Sequence, residues 1–343
     1  MLKWLEKTLH INTATSSPNN SAIIWRLVDG KSGHDNQSLG LVQALAKKMP
    51  CQHFDIPVQG NIEPLLHYLT AAWPFGNNLP QPDFIIGAGH RTHLHLLAAQ
   101  KAHGGNTIVL MQPSLPVAWF DLCVIPEHDD YQGNGDILET RGVLNTVNSD
   151  GEHHAHKALM KVGGHSRHCE WQSDDLITQI LTLAAQNPHI EYTLTTSRRT
   201  PKDFLTGLRN KLADNLLSGN LSPSNLSIVP FEQTTSGWVK TQLAASATAW
   251  ITEDSVSMIY ESLTAQVAVG LLNLPIKQQN RITRGVDKLV AQRLVTRFSA
   301  DGAYKNALHP VLGFVEAERC AEQIIKAWVS NPQRTGQPRF ANI

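Results

Sequence analysis

Residues 23–37, with the sequence IIWRLVDGKSGHDNQ, decide the fold of this protein. The stretch opens with a short apolar run, Ile23–Asp29, which ends in a polar residue and predicts a buried β-strand. A glycine-containing loop follows, and from about Gln37 to Met49 apolar residues recur at helical spacing until Pro50 ends the pattern. A strand, a polar loop and an amphipathic helix in this order form the repeating unit of an α/β fold.

The same unit recurs along most of the chain. Its predicted strands are apolar on both faces and are separated by helical stretches, which indicates parallel sheets covered by helices on both sides. A polar stretch, residues 148–157, interrupts the pattern in mid-chain, and we interpret it as a linker. The predicted strands are 23–29, 53–56, 83–86, 107–111 and 122–125 before the linker, and 158–162, 191–195, 226–229, 249–252 and 267–272 after it.

Two such series predict an α/β protein with two Rossmann-like domains. The length of 343 residues agrees with this, since a domain typically has about 150 residues. The last predicted helix, about Val315–Val329, belongs to the second domain in this scheme. The predicted organisation is an N-terminal segment 1–20, an N-terminal domain 21–147, the linker 148–157, a C-terminal domain 158–330 and a tail 331–343.

Charge and composition exclude several classes of protein. The 29 basic and 29 acidic side chains give a formal net charge of zero, whereas a dedicated nucleic-acid binder normally carries a basic excess. No apolar run approaches the roughly 18 residues that a membrane-spanning helix needs. The four cysteines are far apart and lack metal-site spacing, so we expect reduced thiols and a cytoplasmic protein.

The N-terminus carries charges where a signal peptide would need an apolar stretch, so we do not expect secretion. Leu2, Leu5 and Leu9 nevertheless form an apolar stripe beside Lys3 and Lys7. The stripe either makes peripheral contact with an inner membrane surface or belongs to a docked or frayed terminal segment.

The loop after the first strand carries the first candidate site. In open α/β sheets ligands bind where strands end and helices begin. Gly30 and Gly33 allow the backbone to approach a ligand closely, and the helix start can hold an anion. His34 has the chemistry to accept a proton from a hydroxyl group at neutral pH. The alternative is a simple turn in which Asp35 or Asn36 caps the helix.

Two further loops in the first half follow strands in the same way. Residues 87–92 contain Gly89 and Arg91, and the guanidinium suits a phosphate or carboxylate, although Thr92 could simply cap a helix. Residues 126–130 place acidic side chains beside a histidine, which suits orientation of a substrate and equally suits a solvated loop.

The second half offers three loops suited to an anionic ligand such as a diphosphate. Residues 163–166 and 195–201 combine glycines, hydroxyls and two arginines, whose alternative role is surface ion pairing. Residues 252–261 place Ser255 and Ser257 at a predicted helix start, where negative charge is favoured. Glu261 lies further along that helix and could accept hydrogen bonds from a sugar diol, or the helix could be merely capped and partly buried.

Histidines are numerous, but their spacing does not predict a metal site. The groups His153, His154 and His156, and His165 with His168, each lack a second pair of ligands. No Asp-x-Asp sequence is present to hold a cation beside a nucleotide-sugar. We therefore expect neither a metal nor another cofactor.

These loops, in this order, resemble the mitochondrial-fission family known as the "elongated mitochondria" family, whose bacterial members look like glycosyltransferases. The resemblance rests on residues 25–41, 126–129, 195–201 and 254–261. It implies a GT-B-like architecture, with two Rossmann-like domains facing a cleft. It also implies that His34 corresponds to a histidine on the acceptor side. The donor side then corresponds to Gly163, Gly164, Ser197, Arg198, Ser255, Ser257, Met258 and Glu261.

Together the residues and the resemblance predict a metal-independent glycosyltransferase that builds a cell-envelope glycan, such as a lipopolysaccharide core. The expected partners are a nucleotide-sugar and a glycan or glycolipid acceptor. His34 is the expected general base, oriented by Asp29 or Asp129, and Arg198 and Arg199 stabilise the leaving diphosphate. The remaining expected site residues are Asp254 on the donor side and Gly30, Gly33, Asn36, Gln37, Gly89, Arg91, Glu127 and His128 on the acceptor side.

Two other functions fit the same sequence. A nucleotide-sugar epimerase would use a similar architecture and would need no acceptor. A non-catalytic scaffold, as the plant name of the family suggests, would bind no nucleotide-sugar.

Overall fold

The computed structural model describes residues 21–59, 63–217 and 224–329. The N-terminal segment 1–20, with its apolar stripe, and the tail 331–343 lie outside these residues.

The described residues form two parallel sheets and the helices that cover them. The strands are β1 Ala22–Val28, β2 Cys51–Pro57, β3 Phe84–Ala88, β4 Asn106–Leu110, β5 Leu122–Pro126, β6 Ile137–Thr140, β7 His154–Lys161, β8 Glu191–Thr195, β9 Leu226–Val229, β10 Ser246–Thr252, β11 Ala268–Leu272 and β12 Thr296–Arg297. The helices are α1 Ser32–Lys48, α2 Glu63–Thr70, α3 His90–His103, α4 Ser173–Gln186, α5 Lys202–Leu217, α6 Trp238–Ala245, α7 Val256–Thr264, α8 Arg281–Ala291 and α9 Glu316–Ile324.

The chain divides into two compact units. Of the described residues, the first unit contains those up to Thr146 and those from Glu316 onward, and the second unit contains those within Val147–Val315. The strand order is β2-β1-β3-β4-β5-β6 in the first sheet and β12-β11-β10-β7-β8-β9 in the second, and all neighbours are parallel. The prediction of an α/β protein with two Rossmann-like domains is confirmed.

The sheets are buried on both faces, as the apolar strands predict. In β1, Ile24 packs in one apolar layer while Trp25 and Leu27 pack in the other. Successive side chains on a strand point to opposite faces, so each strand contributes to two cores. A strand built this way must be covered by helices on both sides.

The last helix does not pack where the sequence analysis placed it. Cys320, Ile324 and Trp328 are buried in the first unit's core, where the Trp328 ring meets Phe84 edge-on at 5.9 Å. Lys47 of α1 pairs with Glu318 of α9 at 3.0 Å. The assignment of this helix to the C-terminal domain is therefore wrong, because its apolar face completes the layer that covers the first sheet.

Two local boundaries also differ from expectation. Helix α1 begins at Ser32 rather than near Gln37, so the residues expected in a loop form its first turn. Strand β7 begins at His154, inside the predicted linker.

Among the described residues, no helix is long and apolar enough to cross a bilayer. All four cysteines lie in this part of the chain and are free thiols. Burial raises the pKa of Cys123 and Cys320 to about 12, so both remain protonated, apolar core residues.

Candidate active site

Each sheet brings its own candidate loops together at a switch in its strand order. The chain moves from β1 outward to β2 and then returns to β3 on the other side of β1. In the second sheet it moves outward from β7 to β8 and β9 and returns to β10 on the other side of β7. Loops that leave neighbouring strands in opposite directions open a crevice between them, which is where open α/β sheets bind ligands.

In the first unit, this position holds an aspartate–histidine pair. Asp29 directly follows β1, and its Oδ2 lies 2.9 Å from Nδ1 of His34. The Asp29 side chain is fully buried, whereas 21% of the His34 side chain is exposed. A carboxylate can only accept, so Nδ1 donates, and in a neutral imidazole this leaves the lone pair on Nε2. The arrangement orients an imidazole to accept a proton through Nε2.

A local turn explains why this pair forms. Gly30 has a φ of +77°, a conformation that costs glycine little, and it reverses the chain between β1 and α1. The Asp29 carboxylate also accepts a hydrogen bond from the Lys31 N–H at 3.1 Å. Neither Asp35 nor Asn36 caps the helix, because the N-cap position is Lys31, whose side chain makes no capping bond.

The loop after β3 touches the other side of the histidine ring. Gly89, the N-cap of α3, has a φ of +85° and lies against the His34 imidazole. A Cβ added at Gly89 would overlap the ring. The sequence analysis placed Gly89 on the acceptor side, and the structure adds that its missing side chain makes room for His34.

A buried arginine fixes the first turn of α1 to the sheet. Arg26 of β1 binds the carboxylate of Asp55 on β2 through Nε at 2.7 Å and through Nη2. Its Nη1 donates to the Asp35 carbonyl at 3.0 Å and to Oγ of Ser38 at 3.2 Å. Burial raises the pKa of the Asp35 side chain, an effect that Arg26 opposes.

The other residues expected on the acceptor side are spread more widely. Asn36 accepts a hydrogen bond from Thr146 at 2.7 Å, and Gln37 is buried against the Met111 sulfur. Gly33 lies in the first turn of α1 with no neighbouring atom near its Cβ position, and Arg91 is exposed at the start of α3.

The residues expected after β5 form a separate turn. Glu127, His128 and Asp129 make a single 3-10 turn, in which Asp129 faces His128 at 3.8 Å. In the sheet, β4 separates β5 from β3. Of the two aspartates expected to orient His34, the one in hydrogen-bond contact with its Nδ1 is Asp29.

In the second unit, the corresponding position holds two glycines. The N–H of Gly163 donates to Oγ1 of Thr252 at 2.7 Å, and that of Gly164 donates to Oδ2 of Asp254 at 3.1 Å. A Cβ at Gly163 would overlap the Asp254 carboxylate, and one at Gly164 would overlap the Arg199 carbonyl. Both positions therefore require glycine because the loops after β7, β8 and β10 pack directly on one another.

Hydroxyls and one arginine hold these loops together. Oγ of Ser197 donates to the Gly163 carbonyl at 2.9 Å. Arg199 pairs with the fully buried carboxylate of Asp254 at 2.8 Å and donates to the His165 carbonyl at 3.0 Å. Arg199 and Asp254 were both expected to contact the nucleotide-sugar, and their ion pair holds together the loops that follow β7, β8 and β10. Arg198 is exposed, and its guanidinium lies over the Phe231 ring at 5.6 Å.

The start of α7 offers backbone N–H groups beside this loop. Ser255 is its N-cap, and its side chain accepts no hydrogen bond from the helix. Ser257 is exposed in the first turn and Met258 is partly exposed. The first N–H groups of a helix lack intrahelical acceptors and carry a partial positive charge. An uncapped N-terminus of this kind suits an anion.

The sequence analysis missed the partner of Glu261. Nζ of Lys161, the last residue of β7, lies 2.6 Å from Oε2 of Glu261. Lys161 is only 2% exposed. A single charged residue inside the apolar run Ala158–Val162 was the signal that could have identified it.

The histidines weighed as metal ligands take other roles. The rings of His154 and His156 lie 5.8 Å apart at the start of β7, and His168 contacts the Asn280 amide at 2.8 Å. In the part of the chain that the structure describes, no three His, Cys, Asp or Glu side chains gather to hold a metal ion.

Comparison with known proteins identifies the family. The family model for mitochondrial fission ELM1 matches residues 32–328. The chain belongs to the mitochondrial fission ELM1 family. The expected family resemblance is therefore confirmed. An uncharacterized Rickettsia prowazekii relative, RP120, is 22% identical to this ELM1-family chain and aligns with 80% of it and 90% of the relative.

Two solved structures resemble this ELM1-family protein over most of its length. A putative UDP-N-acetylglucosamine 2-epimerase from Listeria monocytogenes matches with a TM-score of 0.53 and 12% identity, covering 94% of this chain and all of the other. MurG from Acinetobacter baumannii matches with a TM-score of 0.45 and 12% identity, covering 89% and 98%. The architecture is GT-B-like, as the resemblance implied.

Proposed function

We propose that this protein transfers a sugar from a nucleotide-sugar to a cell-envelope glycan or glycolipid. The observation that carries the proposal is the contact between buried Asp29 and partly exposed His34 at the strand switch of the first sheet. Sugar transfer to a hydroxyl requires a base, and an oriented neutral imidazole is suited to that task.

In the proposed reaction, Nε2 of His34 takes the proton of the acceptor hydroxyl as its oxygen attacks the anomeric carbon. The new carbon–oxygen bond forms while the bond to the diphosphate breaks, and its electron pair leaves with the diphosphate. Asp29 holds Nδ1 and stabilises the imidazolium that results. Direct attack of this kind inverts the configuration at the anomeric carbon. A positioned base contributes on the order of 10²- to 10⁴-fold in rate.

On the donor side, we propose that the uncapped start of α7 and Arg198 receive the diphosphate. The helix N–H groups and the guanidinium would stabilise the charge that develops on the leaving group. We propose that these groups serve in place of a metal ion. Glu261 lies one turn after Ser257 on α7, within reach of a ribose beside that diphosphate.

The proposed location is the cytoplasm, with peripheral contact at the inner membrane where a glycolipid acceptor would lie. The four free cysteines support this location.

The test combines ligand-dependent thermal stabilisation with turnover. The melting temperature is measured with UDP-, GDP-, CMP- and ADP-sugars, and release of nucleotide is then measured with and without glycan and glycolipid acceptors. His34→Ala and Asp29→Asn are compared with His189→Ala, which removes an exposed histidine from a loop of the second unit. We expect stabilisation by one nucleotide class and acceptor-dependent release, reduced at least 100-fold by His34→Ala and unchanged by His189→Ala.

Other outcomes identify the alternatives. Turnover that produces a sugar epimer without an acceptor would replace the transferase with an epimerase. No stabilisation by any nucleotide-sugar would favour a scaffold that binds protein partners.

A further inference from the structure

Lys161 occupies an unusual position for a charged side chain. It lies between Met160 and Val162, both fully buried, and is itself 2% exposed. Burial of an ammonium group costs several kcal/mol unless a close partner offsets it. Within the described part of the chain, its hydrogen-bond partner is Oε2 of Glu261 at 2.6 Å.

Glu261 differs from Lys161 in being open to solvent on one side. Its side chain is 22% exposed, and it lies in the second turn of α7, on the same face as Ser257 and one turn further from the uncapped helix start. Side chains one helical turn apart lie about 5–6 Å from each other, so Glu261 is next to the first turn, where the diphosphate is proposed to bind. The buried ammonium therefore holds one oxygen of a carboxylate that is partly open to solvent.

A second lysine interacts with the same carboxylate. Lys240 of α6 is exposed and interacts electrostatically with Glu261. Partial desolvation lowers the pKa of Lys240, and the Glu261 carboxylate opposes that effect. Lys161 and Lys240 thus both act on one carboxylate, whose oxygens accept hydrogen bonds.

We propose that Lys161 is a positioning residue that holds the Glu261 carboxylate oriented to accept hydrogen bonds from the 2′,3′-diol of a ribonucleoside diphosphate. This inference rests on the proposed function and specifies its substrate class. Glu261 contacts the diol, and Lys161 acts only through Glu261. The site therefore discriminates ribonucleotides from 2′-deoxyribonucleotides, since a missing hydroxyl leaves a fixed carboxylate without its donor.

The experiment measures calorimetric dissociation constants for UDP, ADP, GDP and CDP, each beside its 2′-deoxy form, with the full-length protein. For whichever base binds, the wild-type protein is expected to prefer the ribonucleotide by about 10- to 100-fold. Lys161→Met, which keeps the side chain's length without its charge, is expected to reduce that preference to about threefold or less. Affinity for the deoxy form should remain unchanged. Lys157→Met, on the same strand and half-buried, is the matched control and should keep the full preference.

Glu261→Gln and the double variant complete the design. Glu261→Gln should abolish the preference, and adding Lys161→Met to it should have no further effect, because both act through one carboxylate. If Lys161→Met fails to fold, Glu261→Gln still tests the contact with the diol. Lys161→Arg, which keeps a cation at this position, should then retain the preference for the ribonucleotide.

Two results would overturn the inference. A folded Lys161→Met protein that retains the full preference, or that loses affinity for both nucleotide forms equally, would leave Lys161 with a structural role only. Absence of binding to any nucleoside diphosphate by the wild-type protein would instead remove the proposed function itself.

Discussion

Acidification should destabilise the first unit through His93, a residue of α3 one turn from Gly89. His93 is 3% exposed, its Nδ1 lies 3.1 Å from Oγ of Ser114, and its ring meets Phe120 edge-on at 5.8 Å. Burial lowers its pKa from 6.5 to about 4, and the nearby histidines His90 and His34 add to the effect.

The sign and size follow from proton linkage. The unfolded chain binds a proton at His93 below pH 6.5, whereas the folded chain does so only near pH 4. The folded state therefore has its full unfolding free energy above about pH 6.5 and loses part of it as the pH falls towards 4. Between pH 7.5 and 4.5 the loss amounts to about 2.5 kcal/mol of unfolding free energy.

The assay is urea unfolding followed by tryptophan fluorescence at pH 7.5, 6.5, 5.5 and 4.5. His93→Asn keeps a polar atom near Ser114 but cannot titrate in this range. The lost ring packing against Phe120 should lower the unfolding free energy by about 1.5 kcal/mol at every pH. The wild type should therefore be about 1.5 kcal/mol more stable than His93→Asn at pH 7.5 and about 1 kcal/mol less stable than the variant at pH 4.5, a change of about 2.5 kcal/mol.

The matched control is His189→Asn, an exposed histidine whose removal should leave the pH profile unchanged. A wild-type to His93→Asn difference that stays constant within about 0.5 kcal/mol across this range would refute the reasoning, because it would mean that His93 titrates normally in the folded state.

Three further predictions concern other contacts. Gly89→Ala should lower the unfolding free energy by about 1–2 kcal/mol in thermal or urea unfolding, because alanine is strained at a positive φ. It should also reduce any turnover, because the added Cβ displaces the His34 ring, and an unaltered rate would show that the ring tolerates displacement. Arg199→Met should cost about 3 kcal/mol in urea unfolding because it removes the charged partner of the buried Asp254 carboxylate, and a loss below about 1 kcal/mol would contradict that ion pair. Burial opposes ionisation of Glu316, but hydrogen bonds from its arginine neighbours lower its pKa below 4.5. Glu316→Gln should therefore destabilise the protein at pH 7, and this effect should decline as the pH falls below 4.5; a difference in unfolding free energy that does not decline there would argue against an ionised role.

Much of the fold could be predicted from local pattern. Apolar runs such as Ile23–Asp29 and 158–162 indicated buried strands, and nearly all predicted strands lie within a few residues of the observed ones. The short strands β6 and β12 were missed, because four and two residues leave too little periodicity to detect. The start of α1 was placed about five residues late, since Ser32–Asn36 have turn-like composition yet form a helical turn held by Arg26.

The candidate site was only partly accessible to the same reasoning. The sequence indicated His34, the paired glycines and the helix start at Ser255, because glycine, histidine and serine after an apolar strand are unusual locally. It could not choose between Asp29 and Asp129 as the partner of His34. It also assigned Arg199 and Asp254 to a ligand, whereas the folded chain pairs them with each other.

The sequence by itself determined that this chain forms two parallel α/β units with polar loops at strand ends, because hydrophobic period and turn chemistry are local properties. Only the tertiary structure decided which loops meet at the strand switches, that Gly89 makes room for His34, that Lys161 reaches Glu261 a hundred residues away, and that the last helix covers the first sheet. These outcomes depend on strand order and on which apolar faces bury one another. Such choices are made by contacts between distant segments, and no short window of sequence contains both partners.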